Sequence, residues 1–122
     1  MKKILIVDDE IEQIYTIEKT FDKLFKGEFK IISATSGEKC FKQLEKNLPD
    51  IIILDLMMPI MDGWQVLEKL RTSEKWKNIP VIILTARTDG FARHAGKLMA
   101  NDYISKPINI HELKIRIEKI IN

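Results

Sequence analysis

Ile51-Ile52-Ile53-Leu54-Asp55 sets four consecutive large apolar side chains directly before a carboxylate. A half-exposed strand alternates apolar and polar residues, whereas a central parallel strand is covered on both faces and reads as an unbroken apolar run. Val81-Ile82-Ile83-Leu84 repeats the pattern and is followed by Thr85, and each run sits just after a proline, Pro49 or Pro80. Working outward from this pair, Lys3 to Val7, Phe29 to Ala34 and Asp102 to Ile104 complete five strand candidates.

The intervals between strands carry helical spacing. Ile14, Ile17, Phe21 and Leu24 fall on one stripe, and Ile110, Leu113, Ile117 and Ile120 repeat it near the C-terminus. Ser36 is placed to cap a second helix containing Cys40, Phe41 and Leu44, and Asp62-Gly63 opens a third with Trp64, Val66, Leu67 and Leu70. A fourth helix is expected over Thr88 to Leu98. It should be short or mobile, because Gly90 and Gly96 each cost ~1 kcal/mol relative to alanine in a helix interior. Ile11, Ile14 and Tyr15 are assigned mostly to the core, and Trp64 and Trp76 to covering the sheet edges. Five successive βα units predict an α/β fold: a doubly wound, five-stranded parallel sheet of flavodoxin-like order 2-1-3-4-5 with five helices on its two faces.

Composition narrows the function. The 122 residues suit one domain, with no linker, low-complexity tract or long repeat. Twenty Lys and Arg against 18 Asp and Glu leave a formal charge of +2, so bulk charge gives no support to nucleic acid binding. The single cysteine, Cys40, excludes an internal disulfide and is expected to be a buried, inert thiol. The apolar run after Met1-Lys2-Lys3 stops at Asp8, too short for an export signal, and no stretch reaches membrane-spanning length. A cytoplasmic protein without membrane insertion is expected.

Ligands of such sheets sit beyond the C-terminal strand ends. Those ends are polar here: Asp8-Asp9-Glu10 after the first strand, Asp55 after the third, Thr85-Ala86 after the fourth and Ser105-Lys106-Pro107 after the fifth. The strand order gathers all four on one edge. Asp8, Asp9 and Asp55 would then crowd together, each like-charged pair costing ~4 kcal/mol at 4 Å in an effective dielectric of 20, so the cluster must take up protons or a cation. Carboxylate oxygens without His or Cys favour Mg²⁺, with Mn²⁺ an easy substitute. A metal, a carboxylate, the Thr85 hydroxyl and the fixed Lys106 cation are the parts of phosphoryl transfer to an acid side chain, with Asp55 as nucleophile.

Val7-Asp8-Asp9-Glu10, Asp55-Leu56-Met57-Met58-Pro59-Ile60-Met61-Asp62-Gly63, Thr85-Ala86 and Asp102-Tyr103-Ile104-Ser105-Lys106-Pro107 occur in order along essentially the whole chain. In these residues the sequence resembles a response regulator receiver domain of two-component signalling, spanning residues 1–122. The resemblance implies that Asp55 accepts a phosphoryl group from a phosphohistidine on a sensor histidine kinase or histidine phosphotransfer protein. It implies Mg²⁺ held by Asp8, Asp9, Asp55 and the Met57 backbone carbonyl. It assigns the phosphoryl oxygens to Thr85, Ala86 and Lys106, and a typically cis bond to Lys106-Pro107. Thr85 and Tyr103 resemble the family's switch pair, the hydroxyl moving to the phosphoryl group and the ring turning inward, so that a downstream protein reads the surface around the fourth helix, fifth strand and fifth helix. Such a protein is an enzyme only toward itself.

The chain departs from the family pattern in reading Met99-Ala100-Asn101 where Gly-Ala-Asp usually precedes Asp102-Tyr103, and in a Thr85 to Tyr103 interval one residue shorter than usual. Met57 and Arg87 stand two positions after Asp55 and Thr85, positions that in the family influence water access; an apolar Met57 is expected to prolong the phosphorylated state. His94 and His111 stand alone and are read as solvated surface, and Glu12, outward on the first helix, as a residue facing the kinase. Two other classes are weighed. A phosphatase of the haloacid dehalogenase type places its acids as Asp-x-Asp in a larger fold, and a flavodoxin-like cofactor binder needs a phosphate loop where Asp8 and Asp9 would repel the phosphate.

Overall fold

The unbroken apolar runs become the middle of a sheet. Strands β1 (Lys2–Val7), β2 (Phe29–Ala34), β3 (Ile51–Leu54), β4 (Val81–Thr85) and β5 (Asp102–Ser105) are all parallel and stand in the order β2-β1-β3-β4-β5. The structure, a computed structural model, describes residues 1–86 and 99–121. Among them are helices α1 (Ile11–Leu24), α2 (Gly37–Lys46), α3 (Gly63–Thr72) and a C-terminal helix (Ile110–Ile121). The helix expected over Thr88 to Leu98, together with Arg87 and His94, lies outside the described residues. No helix among the described residues is long and apolar enough to cross a membrane.

Alternation along β3 divides the core into two layers. Ile52 and Leu54, with Leu5, Val7, Val81 and Ile83, pack beneath Cys40 and Leu44 of α2 and Val66, Leu67 and Leu70 of α3. Ile51 and Ile53, with Ile4, Ile6, Ile82 and Leu84, pack on Ile14, Ile17 and Phe21 of α1 and Leu113 and Ile117 of the C-terminal helix. Each such side chain contributes roughly 1.5–3 kcal/mol when removed from water. Trp64 and Trp76 are half-buried against the first layer, and Trp76 stacks on Phe41. Cys40 is fully buried, and burial pushes its thiol pKa up to about 12, consistent with an inert role.

The helix starts follow their capping residues. Ser36 Oγ accepts the Lys39 N–H at 3.1 Å, and Asp62 and Gln65 form a reciprocal capping box with both bonds at 3.0 Å. Three residues assigned to the core of the first helix are exposed instead. Ile11 is 70% and Tyr15 62% exposed, and Leu24 also faces solvent. Ile11 is the first residue of a helix that begins beyond the strand ends, and Tyr15 lies about 100° around the axis from the buried Ile14. At the other end Phe25, just past the helix, takes the place expected for Leu24 and packs edge-on against Phe21 and Phe29.

Arg71 ties the far end of the sheet together. Its Nε donates to the Met99 carbonyl at 2.7 Å, and its terminal nitrogens donate to the carbonyls of Lys77 at 3.0 Å and Ile79 at 2.8 Å and to Asn101 Oδ1 at 3.3 Å. Asn101 Oδ1 also accepts the Val81 N–H, and the Asn101 N–H donates to the Val81 carbonyl. The departure at Asn101 thus sits in a network fastening α3, the α3–β4 connection and the entry to β5. Arg71→Met keeps the aliphatic stem and strands these carbonyls, and should lower the unfolding free energy by about 2–3 kcal/mol in a urea titration, with an unchanged denaturant slope.

Candidate functional site

The sheet ladder continues one residue past the apolar runs and so aims the polar residues. The Asp8 N–H donates to the Ala34 carbonyl, the Asp55 N–H to the Val7 carbonyl, and the Lys106 N–H to the Thr85 carbonyl, at 3.1, 3.0 and 2.9 Å. Asp8 and Asp55 then use their carboxylates in the same way. One oxygen of each accepts a backbone N–H two residues on, Asp8 Oδ1 from Glu10 at 2.9 Å and Asp55 Oδ1 from Met57 at 3.0 Å. The other turns inward to a shared partner, Lys106 Nζ, which donates to Asp8 Oδ2 at 3.0 Å and to Asp55 Oδ2 at 3.1 Å.

This arrangement is nearly closed to water. The side chains of Asp8, Asp55 and Lys106 are only 3%, 4% and 12% exposed. Burial raises the Asp8 pKa above the ordinary carboxylate value, and the Asp55 charge adds to the rise; the Glu10 N–H and the Lys106 ammonium oppose it without cancelling it. For Lys106, burial is the largest influence and favours the neutral amine, but the hydrogen bonds and charges of Asp8 and Asp55 together outweigh it and hold the ammonium above its usual range. Because its folded value is raised, Lys106 contributes stability throughout the range below its unfolded pKa of about 10.4, losing it only as pH rises through the folded value.

Asp9 is not buried, yet Asp8, Asp9 and Asp55 each offer an oxygen, all lying within 4.8 Å of one another. Among the described residues three carboxylates outnumber the one ammonium, and the donors are all hard oxygens, a set that fits a divalent cation of the Mg²⁺ type. Glu10 enters the same field, its Oε1 at 3.3 Å from Lys106 Nζ. Sequence reasoning noted Glu10 as part of a polar strand ending and gave it no role, although its place in an unbroken run of three acids was a signal.

The connection from Asp55 to α3 folds tightly. Gly63 donates its N–H to the Leu56 carbonyl at 3.0 Å, and a Cβ there would collide with the Asp55 carbonyl oxygen and lie 2.5 Å from Leu56 Cα. Ile60 adopts φ +67°, a left-handed conformation costly for a β-branched residue, with its side chain in solvent. Within this loop Met58 is buried in the core and Met57 is 58% exposed, so only the second of the pair is core filling.

Thr85 is fully buried at the end of β4, Ala86 is exposed, and the Tyr103 ring is buried on β5. The Lys106–Pro107 bond is cis. Glu12 is exposed on α1; His111 is exposed and edge-on to Phe25, with no acid partner among the described residues.

The model of the response regulator receiver domain matches residues 4–118. The chain is 37% identical over 121 residues to the alkaline phosphatase synthesis transcriptional regulatory protein PhoP of Bacillus subtilis, covering 98% of itself and 48% of that protein. It is 34% identical to histidine kinase P4 of Formosa agariphila, covering 97% of itself and 8% of the kinase. Among solved structures, the receiver domain of the Francisella response regulator 1452 superposes with TM-score 0.86 at 31% identity, covering 99% of this chain and 97% of that one. The chain spans about half the length, or less, of the curated relatives it matches.

Replacing Lys106 leaves two buried carboxylates without a counter-charge. Lys106→Met should lower the unfolding free energy of chelator-treated protein by about 3 kcal/mol. Added Mg²⁺ should recover part of that loss, as read from denaturation with and without the ion.

Proposed function

The chain belongs to the response regulator receiver domain family, and from that premise we propose that it is the phosphoacceptor of a two-component relay, taking a phosphoryl group on Asp55. The carrying observation is the shared ammonium: Lys106 Nζ reaches Asp8 Oδ2 and Asp55 Oδ2 at 3.0 and 3.1 Å in a site nearly closed to water. A donor phosphohistidine belongs to a sensor histidine kinase or a histidine phosphotransfer protein. An Asp55 oxygen attacks phosphorus, a P–O bond forms as the P–N bond breaks, and the electron pair returns to the imidazole.

Lys106 starts as the counter-charge of two carboxylates and follows the transferred charge by donating to a phosphoryl oxygen, so little reorganisation is needed. The Thr85 hydroxyl and the Ala86 N–H donate to the remaining oxygens. Asp8, Asp9, Asp55 and the Met57 carbonyl would hold Mg²⁺, which when bound supplies neutralisation of charge on the transferring group. The acidic excess of Asp8, Asp9 and Asp55 supports this reading.

Readout runs through Thr85 and Tyr103, neighbours across the β4–β5 ladder by way of the Ile83↔Tyr103 and Thr85↔Ser105 registers. Withdrawal of the Thr85 hydroxyl toward the phosphoryl group alters the space available to the Tyr103 ring and so the surface of β5 and the helices beside it. A downstream protein reads that surface. The domain, residues 1–122, works in the cytoplasm, acts catalytically only on its own phosphorylation state and contacts no nucleic acid itself.

Two measurements test this. Incubation with acetyl phosphate and Mg²⁺ should add a single phosphoryl group by intact mass, absent in Asp55→Asn and in chelator; an adduct persisting in Asp55→Asn, or turnover of unrelated phosphate esters, would refute the assignment. Met57, exposed and anchored by its N–H to Asp55 Oδ1, shields the product from water. Met57→Asn should shorten the phosphoprotein lifetime about tenfold, a change of ~1.4 kcal/mol in the barrier to hydrolysis.

A further inference from the structure

β2 is one of the two outer strands of the sheet and, among the described residues, pairs with β1 alone. In a parallel ladder, alternate residues direct both N–H and C=O to the neighbouring strand. The Lys2 N–H donates to the Glu28 carbonyl at 3.2 Å and the Asp8 N–H to the Ala34 carbonyl at 3.1 Å. Glu28 and Ala34 are both even-numbered, so the inward set runs through residues 28, 30, 32 and 34. The backbone groups of Phe29, Ile31 and Ser33 therefore point away from the sheet, a row of donors and acceptors able to receive another strand.

The two faces flanking this edge differ in chemistry. On the α2 side, a cavity of about 370 Å³ is lined by Ala34, Thr35, Lys39, Lys42 and Lys46, with no acidic side chain in its wall. Lys30 belongs to the same face of β2 as the core residues Ile32 and Ala34. Lys42 has an ion pair with the exposed Glu38, Lys39 donates to Thr35 Oγ1, and Lys46 has no ion pair among the described residues. On the α1 side, a cavity of about 270 Å³ is lined by Phe21, Phe29 and Ile31 together with the exposed Glu18, Lys19 and Asp22.

We propose that the free edge of β2 binds an extended, acidic segment of a partner protein as a sixth strand, its acidic side chains meeting Lys39, Lys42 and Lys46 and its apolar ones the Phe21, Phe29 and Ile31 cavity. Side chains of an added strand alternate between faces, so the matching segment alternates acidic and apolar residues. Lysines on an edge discourage pairing with a like chain. Two copies joined antiparallel through β2 across a two-fold axis would set these lysines against their own counterparts, whereas an acidic strand turns the same charges into attraction. This surface is built from β2, α1 and α2.

The test is an amide NMR titration of the full chain with an acetylated, amidated peptide of about seven residues alternating glutamate and valine, a typical strand length. Saturable shifts and slowed hydrogen exchange should appear at the Phe29, Ile31 and Ser33 amides. Lys39→Gln/Lys42→Gln/Lys46→Gln should weaken binding about tenfold, the sum expected of three exposed charge contacts, and a lysine–valine peptide should not bind. A peptide N-methylated at alternate positions facing β2 should lose binding even to the unaltered protein. Absence of saturable shifts up to ~2 mM, equal binding of the N-methylated peptide, or sedimentation showing that the free chain already pairs through β2 would each overturn the proposal.

Discussion

One ammonium shared by two buried carboxylates is the interaction on which the polar end of the molecule depends. Lys106 Nζ lies within hydrogen-bond distance of Asp8 and Asp55. Without it, two like charges would face each other in a nearly dry space, at a cost of ~4 kcal/mol for a 4 Å separation in an effective dielectric of 20. Even with it, Asp8 remains harder to ionise than an ordinary aspartate because burial outweighs its partners. The site therefore holds an excess of negative charge that one lysine reduces and does not cancel. Acceptance of positive charge is the chemistry such a pocket offers.

The rest of the fold keeps those three side chains converged. Each stands one residue past a strand, so the ladder bonds that terminate β1, β3 and β5 also fix their Cα positions. The core layers beneath are made of strand residues with almost no exposure, which leaves little freedom for the strand ends to drift. The loop from Asp55 to α3 carries the visible strain: Ile60 in a left-handed conformation, and Gly63 so close to Asp55 that no side chain fits. Such local cost is tolerated where the surroundings over-determine the backbone, as the capping box at Asp62 and the buried Met58 do here.

At the opposite end Arg71 and Asn101 perform a structural task with no counterpart in the acidic pocket, Arg71 closing three carbonyls in the α3–β4 connection and the entry to β5 and Asn101 accepting the Val81 N–H. The lysine-rich edge of β2 is a third region, distinct from both. The Asn101 network and the β2 cavities are built from side chains outside the acidic pocket. The curated relatives extend well beyond the matched region.

The sequence by itself determined the strands and the residues at their polar ends, because unbroken apolar runs, β-branching and punctuating Pro, Gly, Ser and Asp are local signals that survive without partners; the order 2-1-3-4-5 is the common solution for five βα units, and the structure adopts it. It also pointed to a cation-demanding cluster, since strand order alone brings Asp8, Asp9 and Asp55 to one edge. It misplaced Ile11, Tyr15 and Leu24, whose hydrophobicity said core while the overhang and rotation of α1 put them in water. Only the tertiary structure decided how charge is distributed: which carboxylate oxygen turns to its own backbone and which to Lys106, that Glu10 joins them, and that Arg71 reaches three carbonyls. Those outcomes depend on distances between residues up to 98 positions apart. Coulomb and desolvation energies vary with distance and burial, and neither quantity exists until the chain has folded.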